Sequence, residues 1–281
     1  MLAFFMTTLA VYASELPLSI LSWNVHWQCG SDHIPGCRAA ATKRFVDLAH
    51  NAHASIVLSV ELEQTSSTPV DLPSHGLGST WVAVNGSCPP TAPATTGDAC
   101  ALNFAPGYSV VASGGGCLGG VSGRGYSADA RAFAVARVKP PKPVAHCPQG
   151  LCVVGLHSPH INITEGADTV SRVCGNGRKG CTVAFGDWNA PVAKRVFNPY
   201  TVSDRWTQLL GTPASFSVAA PDRNSCCFPE TKYSGVDDHV VCDVPQARAT
   251  ETLLAYQMKN FSKDTEEHMP LLVNLTLPVA A

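Results

Sequence analysis

A series of short apolar or alternating runs, spread along the chain from residue 18 to residue 277, constrains the fold of this protein more than any other feature of its sequence. Runs of this length, bounded by turn-forming residues, are typical of β-strands. Nine runs meet the description: Leu18–Val25, Ile56–Val60, Trp81–Val84, Tyr108–Ala112, Ala132–Val138, Leu151–Leu156, Cys181–Phe185, Val240–Val244 and Leu271–Leu277. Helical periodicity is clearest over Ala39–His50 and is also present over Glu165–Val173. Because the predicted strands outnumber the helices and are interleaved with them, we expect an α/β fold with two packed β-sheets flanked by helices.

The N-terminal segment "MLAFFMTTLAVYA" has the length and apolar character of a signal peptide, and it ends in a small-x-small pattern before Ser14. We therefore expect residues 1–13 to be removed and residues 14–281 to form a single domain. The segment contains no Lys or Arg, so a poorly formed signal or a misassigned start codon is the alternative. No other run reaches the roughly 18 apolar residues that a membrane-spanning helix requires.

The cysteine content also favours an exported protein. Twelve cysteines are present, an even number, and no C-x-x-C pair indicates a zinc ribbon or a redox motif. Disulfides are the simpler interpretation. Cys29 with Cys37, Cys147 with Cys152, and Cys174 with Cys181 are close enough in sequence to close short loops, although sequence alone does not assign the pairing.

Four N-glycosylation sequons add to this interpretation, at Asn85, Asn162, Asn260 and Asn274. The signal, the cysteines and the sequons together predict a secreted glycoprotein. The formal net charge of −2 excludes the broad basic surface that dominates non-specific nucleic-acid binding. Contact between a phosphodiester and a few local cations remains compatible with this charge.

Several predicted strands begin or end in polar clusters, where layered α/β proteins tend to place their sites. The clusters contain Asn24, Glu61, Glu63, His157, His160, Asp187, Asn189, Asp237, Asp238, His239, Glu266, Glu267 and His268. Carboxylate and amide oxygens suit a hard cation such as Mg²⁺, Mn²⁺ or Ca²⁺. Histidines beside such a cation position a water and stabilise phosphoryl charge, as hydrolysis of a phosphate ester requires.

Each residue also has a plain structural interpretation. Asn24 and the sequence Gly186–Asn189 occur commonly in turns, Glu61 is typical of a solvated surface, and His160 and His239 fit structural or exposed positions. The combined order of the segments favours the functional interpretation.

That order is specific: "SWNV", "SIVLSVELE", "RAFAV", "LHSP", "GDWN", "DHVV" and "EHMP" follow one another between Leu18 and Leu277. It resembles the endonuclease/exonuclease/phosphatase family and, within it, most closely the secreted deoxyribonuclease I-like branch. "GDWN" stands where the family has Gly-Asp-Phe-Asn, and "LHSP" is close to Leu-His-Ser-Ala-Pro. The resemblance implies a four-layer α/β sandwich, with residues 14–281 as one catalytic domain that hydrolyses phosphoric esters.

The resemblance also implies roles for individual residues. His157 and His268 match the two catalytic histidines, and Asp238 matches the acid that orients the second. Asp187 and Asn189 match the pair that handles the nucleophile and binds phosphate oxygens.

Four further positions match the family's metal and phosphate contacts. Asn24, Glu61 and Glu267 match residues at or beside a metal ion, and Arg131 matches an arginine that contacts phosphate together with Asn189. The implied cofactor is Mg²⁺ or Mn²⁺, with Ca²⁺ as a further candidate.

Departures from the family pattern accompany these matches. The family's final Ser-Asp-His is Glu266-Glu267-His268 here, which places a longer carboxylate beside the metal position, and the usual Gln before the metal-binding Glu is Val60. Asp98 is a candidate for the acid that supports His157. The arginine that enters the DNA minor groove has no counterpart in "ELEQTSS".

Three hypotheses follow. The first is a secreted, metal-dependent phosphodiesterase that acts as an endonuclease on nucleic acid, with DNA as the leading substrate. The second keeps the fold and chemistry but changes the substrate to a sphingolipid headgroup, an inositol phosphate or another small phosphoester. The third is a secreted binding protein whose catalytic site has decayed. A monomer is expected in each case.

Overall fold

The computed structural model describes residues 15–25, 36–65, 68–88, 98–119, 121–122, 125–126, 130–160, 162–163, 165–175, 179–192, 200–211, 217–219, 224–226, 235–254 and 268–280. The predicted signal peptide, residues 1–13, lies outside these ranges. In the described part of the chain, no helix combines the length and apolar character needed to cross a lipid bilayer.

The first sheet contains six strands, of which two pair in parallel near its centre. In chain order they are β1 (Glu15–Asn24), β2 (Ile56–Val60), β5 (Val82–Cys88), β6 (Asp98–Phe104), β15 (Arg248–Leu253) and β16 (Leu271–Pro278). Their spatial order is β15-β16-β1-β2-β6-β5. β1 is parallel to β2 and antiparallel to β16, and β2 is antiparallel to β6. The end of β2 and the start of β6 therefore lie at the same edge of the sheet.

The second sheet repeats this plan with β7 (Ser109–Cys117), β10 (Ala132–Lys139), β11 (Leu151–His157), β12 (Thr182–Asp187), β13 (Ser217–Ala219) and β14 (Asp238–Cys242). Their spatial order is β13-β14-β12-β11-β10-β7. β11 and β12 are parallel and end side by side, while β14 runs antiparallel to β12 and begins where β12 ends. Two ribbons lie outside the sheets: β3 (Glu63–Thr65) with β4 (Thr68–Pro69), and β8 (Val121–Ser122) with β9 (Gly125–Tyr126).

The hydrophobic core lies between the two sheets, and both contribute to it. Leu18, Ile56 and Leu102 come from the first sheet, and Val153 and Phe185 come from the second. All five are almost fully buried. Successive residues of a strand point to opposite faces, so the residues next to these core residues in sequence point outwards. They form a further apolar layer on the outer face of each sheet.

Helices cover those outer layers. α1 (Cys37–Asn51) packs on the first sheet in a cluster that includes Trp23 and Phe45, whose ring centroids are 5.7 Å apart. α2 (Ala167–Cys174) and α3 (Val202–Leu210) pack on the second sheet. The predicted fold, two packed sheets flanked by helices in four layers, is confirmed.

α3 was not predicted from the sequence. It begins with a capping box in which the Thr201 hydroxyl accepts from Asp204 N and the Asp204 carboxylate accepts from Thr201 N. It ends at Gly211, which adopts a left-handed conformation with φ of 69°. A short helical turn, Pro73–Leu77, packs against α1.

Two of the disulfides suggested by sequence proximity are wrong. Cys147 pairs with Cys181 and Cys152 pairs with Cys174, while Cys88 pairs with Cys117. Cys152 and Cys181 are neighbours, joined by a backbone hydrogen bond, but Cys152 belongs to the outer apolar cluster beneath α2, whereas Cys181 belongs to the inner core. Each sulfur therefore pairs on its own side of the sheet. Cys37 is also disulfide-bonded, but Cys29 lies outside the described residues.

Candidate active site

The polar clusters predicted from the sequence meet at one end of the sandwich. From the first sheet come Asn24 at the end of β1, Glu61 directly after β2, Asp98 at the start of β6, and His268, three residues before β16. From the second sheet come His157 at the end of β11, Asp187 at the end of β12, and Asp238 at the start of β14. Within each sheet, the parallel and antiparallel pairings place these strand ends side by side. The packing of the two sheets brings both sets together at one end of the sandwich.

His157 lies among carboxylates of the first sheet. Its Nδ1 is 3.1 Å from Oδ2 of Asp98 and 3.7 Å from Oε1 of Glu61. Asp98 is itself fixed, since its Oδ2 accepts from Ala132 N at 2.7 Å and its Oδ1 accepts from Ala99 N at 2.9 Å. This is the contact with His157 that the resemblance implied for Asp98.

Arg131 approaches the other side of the same ring. Its Nε donates to Nε2 of His157 at 3.3 Å. The contact requires an unprotonated Nε2, so Arg131 must move away from Nε2 when that nitrogen takes up a proton.

Glu61 has an unusual backbone conformation. Its φ is 55°, which is uncommon for a residue with a β-carbon. The surrounding structure holds it there, because Glu61 N donates to Ala99 O and the preceding Val60 is paired with Asn24 of β1. Such strain costs about 1–3 kcal/mol and is often found at functional sites. Here it accompanies a carboxylate held beside His157.

His268 forms a second histidine–carboxylate pair. Its Nδ1 is 2.9 Å from Oδ2 of Asp238, and both side chains are buried. Trp23 Nε1 donates to the His268 carbonyl oxygen at 3.0 Å, which anchors the backbone of this residue to β1. The pair thus joins a residue of the second sheet to the segment that leads into the last strand of the first sheet.

Asp187 lies between the two histidines. Its Oδ2 is 3.6 Å from Nε2 of His157 and 3.6 Å from Nε2 of His268, and it accepts from Asn24 Nδ2 at 2.9 Å. Its Oδ1 accepts from Asn189 N at 2.9 Å. One carboxylate therefore brings together Asn24, both histidines and Asn189.

Asn189 occupies a tight turn after β12. Its φ is 45°, and its Nδ2 donates to the Ser158 carbonyl oxygen at 2.7 Å. The turn is also anchored on β14, because Trp188 Nε1 donates to His239 O at 3.1 Å and His239 Nε2 donates to Ala190 O at 3.0 Å. His239 is completely buried and belongs to the scaffold of the turn.

The electrostatic environment sets the protonation of these groups. Burial opposes the charge on His268, but the carboxylates of Asp238 and Asp187 outweigh it and raise the pKa to about 10. Burial also opposes the charge on His157, yet Glu61 and Asp98 raise its pKa. Burial favours neutral Asp187, but the charges of His268 and His157 dominate and lower the pKa of this carboxyl. Asp187 is therefore ionised and His268 cationic at neutral pH.

Glu61, Asp98 and His157 offer ligand atoms that all lie within 4.8 Å of one another, and so do Asp187, Asp238 and His268. Carboxylate oxygen is the donor that Mg²⁺ and Mn²⁺ prefer. Asn24, the last residue of β1, and Glu61, directly after the neighbouring parallel strand β2, fit such an ion chemically.

Other predicted positions are exposed or lie outside the described residues. Glu266, Glu267 and Asn260 lie outside the described residues. Asn85 in β5, Asn162 before α2 and Asn274 in β16 are exposed, and glycosylation at any of them stays a prediction. His160 is exposed, as the structural interpretation expected.

Sequence reasoning missed the residues that hold the site through backbone atoms. These are Ser158, whose carbonyl fixes Asn189, and Ser225, whose hydroxyl accepts from Asp237 N and Asp238 N. Ser158 lies within "LHSP" but acts through its carbonyl oxygen, which every residue type has. Ser225 lies in no recognisable motif, because a hydrogen bond to a backbone atom leaves no characteristic spacing in the sequence.

Comparison with solved structures identifies the fold. An endonuclease/exonuclease/phosphatase family protein from Bacteroides thetaiotaomicron matches with a TM-score of 0.58 and 13% identity over 94% of this chain and 96% of that chain. A mannosyl-6-phosphatase from the same species matches with a TM-score of 0.55 and 13% identity, over 92% and 99%. The 2',3'-cyclic phosphatase ANGEL2 matches with a TM-score of 0.57 and 13% identity, over 94% and 96%.

No sequence-family model matches this chain, and comparison with curated proteins finds no match. At these identities the structural likeness establishes the fold, which is that of the endonuclease/exonuclease/phosphatase family.

Proposed function

We propose that this chain is a secreted, divalent-metal-dependent phosphodiesterase, and that it acts as an endonuclease on nucleic acid, with DNA as the leading substrate. The observation that carries the proposal is the convergence of two histidine–carboxylate pairs on Asp187. His157 with Asp98 and His268 with Asp238 each place Nε2 at 3.6 Å from the same Asp187 oxygen.

The cationic group of the mechanism is His268. Asp238 holds its Nδ1 at 2.9 Å, so Nε2, which lies 3.6 Å from Asp187 Oδ2, is the nitrogen that would donate to a non-bridging oxygen of the phosphate. Negative charge develops on these oxygens in the transition state, and a preorganised cation stabilises it more strongly there than in the bound substrate. A pKa of about 10 keeps this proton in place at neutral pH.

Asp187 is the group that accepts a proton from water. It is ionised, and Asn24 Nδ2 and Asn189 N fix its two oxygens in orientation. A water bound to this carboxylate would attack phosphorus in line with the leaving oxygen. Asn189 and Arg131 would bind the phosphate, and His157, supported by Asp98, would deliver a proton to the departing alcohol.

Glu61 and Asn24 would hold the metal ion, together with Glu267, which lies outside the described residues. When Mg²⁺ or Mn²⁺ is bound there, with Ca²⁺ as a further candidate, it neutralises charge on the phosphate oxygens. The strained conformation of Glu61, its place directly after Val60, which pairs with Asn24, and its distance of 3.7 Å from His157 Nδ1 support this assignment.

Three disulfides among the described residues support export, because such bonds persist in oxidising compartments. The apolar residues 1–13 and the exposed sequons at Asn85, Asn162 and Asn274 agree with that assignment.

The test is the nicking of supercoiled plasmid by protein produced through an oxidising secretory route, in Mg²⁺ plus Ca²⁺. We expect nicking that EDTA abolishes, and a loss of at least about 10³-fold in both His157→Ala and His268→Ala. His53→Ala, which removes an exposed histidine after α1, serves as the matched control and should retain full activity. Near-normal nicking by both active-site variants would contradict the proposal.

A second candidate is hydrolysis of a sphingolipid headgroup, an inositol phosphate or another small phosphoester at the same site. The net charge of −2 and the lack of a counterpart to the minor-groove arginine favour it. Cleavage of such an ester by folded protein that does not nick plasmid would select this candidate. Failure to cleave either kind of substrate would favour a decayed site.

A further inference from the structure

Ser225 occupies a buried position between the two halves of the His268–Asp238 pair. Its side chain is 1% exposed, and it lies in a segment that no motif of the sequence distinguishes. The Ser225 Oγ accepts hydrogen bonds from Asp237 N and Asp238 N, both at 3.1 Å. Asp238 is the first residue of β14 and Asp237 directly precedes it, so the hydroxyl fixes the backbone that carries the Asp238 carboxylate.

The carbonyl of the same residue reaches the other half of the pair. Met269 N donates to Ser225 O at 2.8 Å, directly after His268. Trp23 Nε1 holds the His268 carbonyl from the opposite side of that peptide. The backbone on which the His268 ring depends is therefore fixed between Ser225 and β1.

Ser225 is itself held rigidly. Ser225 N and Cys226 N both donate to Gly235 O, at 2.9 and 3.0 Å, and Cys226 is disulfide-bonded. The serine thus connects Asp238 of the second sheet with His268 of the first through three hydrogen bonds from one residue. Its hydroxyl and its carbonyl oxygen both accept from backbone N–H groups, so it acts on the pair through the backbone.

We propose that Ser225 is a positioning residue that sets the distance between the Asp238 carboxylate and the His268 ring. The effect of Ser225 on the rate rests on the proposed function. Its effect on the distance between Asp238 and His268 does not require the protein to be an enzyme. Removing the hydroxyl leaves two N–H donors without their acceptor. The start of β14 should then shift, and a displacement of a catalytic group by about 1 Å can lower the rate about 10²-fold.

The principal test compares Ser225→Ala with Ser225→Thr, which retains the hydroxyl. In metal-free protein, the imidazole Nδ1–H of His268, bonded to a carboxylate, gives a far-downfield proton signal, assigned by its loss in His268→Ala. We expect this signal to disappear or move upfield in Ser225→Ala and to persist in Ser225→Thr. We also expect kcat to fall about 10- to 100-fold in Ser225→Ala, with KM within about twofold of wild type.

Thr182→Val is the matched control, because it removes another buried hydroxyl at the end of β12 remote from Asp187. It should leave the downfield signal and kcat unchanged. A Ser225→Ala variant with wild-type signal and kcat would overturn the proposal. So would a Ser225→Ala defect that Thr182→Val reproduces in full.

A measurement on the wild-type protein covers the case in which Ser225→Ala does not fold. The amide protons of Asp238 and Met269 should be strongly protected from hydrogen exchange and should exchange with equal free energies of opening, because both are bonded to one residue. Rapid exchange at Met269 while Asp238 stays protected would overturn the proposal. If wild-type protein has no hydrolytic activity, the proposed function fails, while the downfield signal and the exchange data still decide the role of Ser225.

Discussion

Asn24 donates a hydrogen bond of 2.9 Å from Nδ2 to Oδ2 of Asp187. This bond joins the last residue of β1 in one sheet to the last residue of β12 in the other. The same Asp187 oxygen lies between the two histidines, so the relative position of the sheets is coupled to the geometry of the site.

Replacing Asn24 by Ala should therefore affect both stability and activity. The buried Asp187 oxygen loses a donor, which costs about 1–3 kcal/mol of unfolding free energy. Activity should fall about 10²-fold because Asp187 loses its orientation. Urea denaturation and plasmid nicking measure the two effects. Asn103→Ala removes an equally buried Asn at the other end of β6 from Asp98, and its specific activity should match that of wild type.

Replacing Asp238 by Asn should lower the pKa of His268 from about 10 towards its ordinary value. A histidine whose pKa is raised by folding contributes stability that is fully present below about pH 6.5 and is lost as the pH rises towards 10. In EDTA, wild-type protein should lose unfolding free energy across this window, and Asp238→Asn should lose less. Equal slopes for the two proteins in urea denaturation between pH 6.5 and 10 would contradict the assignment.

For His239 we expect the opposite dependence of stability on pH, with stability lost as the pH falls. Burial lowers the pKa of this histidine, so the unfolded chain takes up a proton that the folded protein does not. Its neutral form therefore stabilises the protein above about pH 6.5, and this contribution is lost as the pH falls. His239→Gln keeps an N–H donor for Ala190 O and should reduce the acid sensitivity between pH 5 and 6.5. Thermal denaturation in that range, with His160→Gln as the exposed control, measures the difference.

Glu61→Gln removes a carboxylate that the proposed metal site depends on. The Mg²⁺ concentration for half-maximal activity should rise more than about tenfold, because even indirect support of a metal ligand contributes 10- to 100-fold. Unfolding free energy should change little, since the strained backbone at φ 55° is retained. Titration of nicking activity with Mg²⁺ is the measurement, and an unchanged midpoint would remove Glu61 from the site.

Peptide mapping of the non-reduced protein should recover Cys147 linked to Cys181 and Cys152 linked to Cys174. Replacing Cys152 and Cys174 together by Ala should cost about 3 kcal/mol, because a loop of 22 residues is no longer closed in the unfolded chain. Specific activity should persist, since this bond lies at the start of β11, at the opposite end of that strand from His157. Recovery of a Cys147–Cys152 peptide would contradict the structure.

The strands and the first two helices could be predicted because the hydrophobic pattern that marks each one lies within its own segment of the sequence. All nine predicted runs form strands, Ala39–His50 lies within α1, and Glu165–Val173 contains most of α2. β6 was harder to identify from the sequence because it is buried on both faces, so its residues do not alternate between apolar and polar. β15, with the sequence "RATETL", is an edge strand with little apolar content. α3 is marked mainly by its capping residues.

The sequence by itself determined which chemical groups stand at the strand ends, because alternation along a strand and turn residues after it are local properties. It supplied Asn24, Glu61, His157, Asp187, Asn189, Asp238 and His268 as one set, with Asp98 as a candidate partner. Only the tertiary structure decided that Asp98 supports His157, that both histidines share Asp187, and that Ser225 connects Asp238 to His268. These contacts depend on which strands are neighbours and how two sheets pack, and both are set by burial of apolar residues far apart in the chain. For the same reason Cys147, Cys152, Cys174 and Cys181 pair with partners on their own side of the sheet and not with their nearest neighbours in sequence.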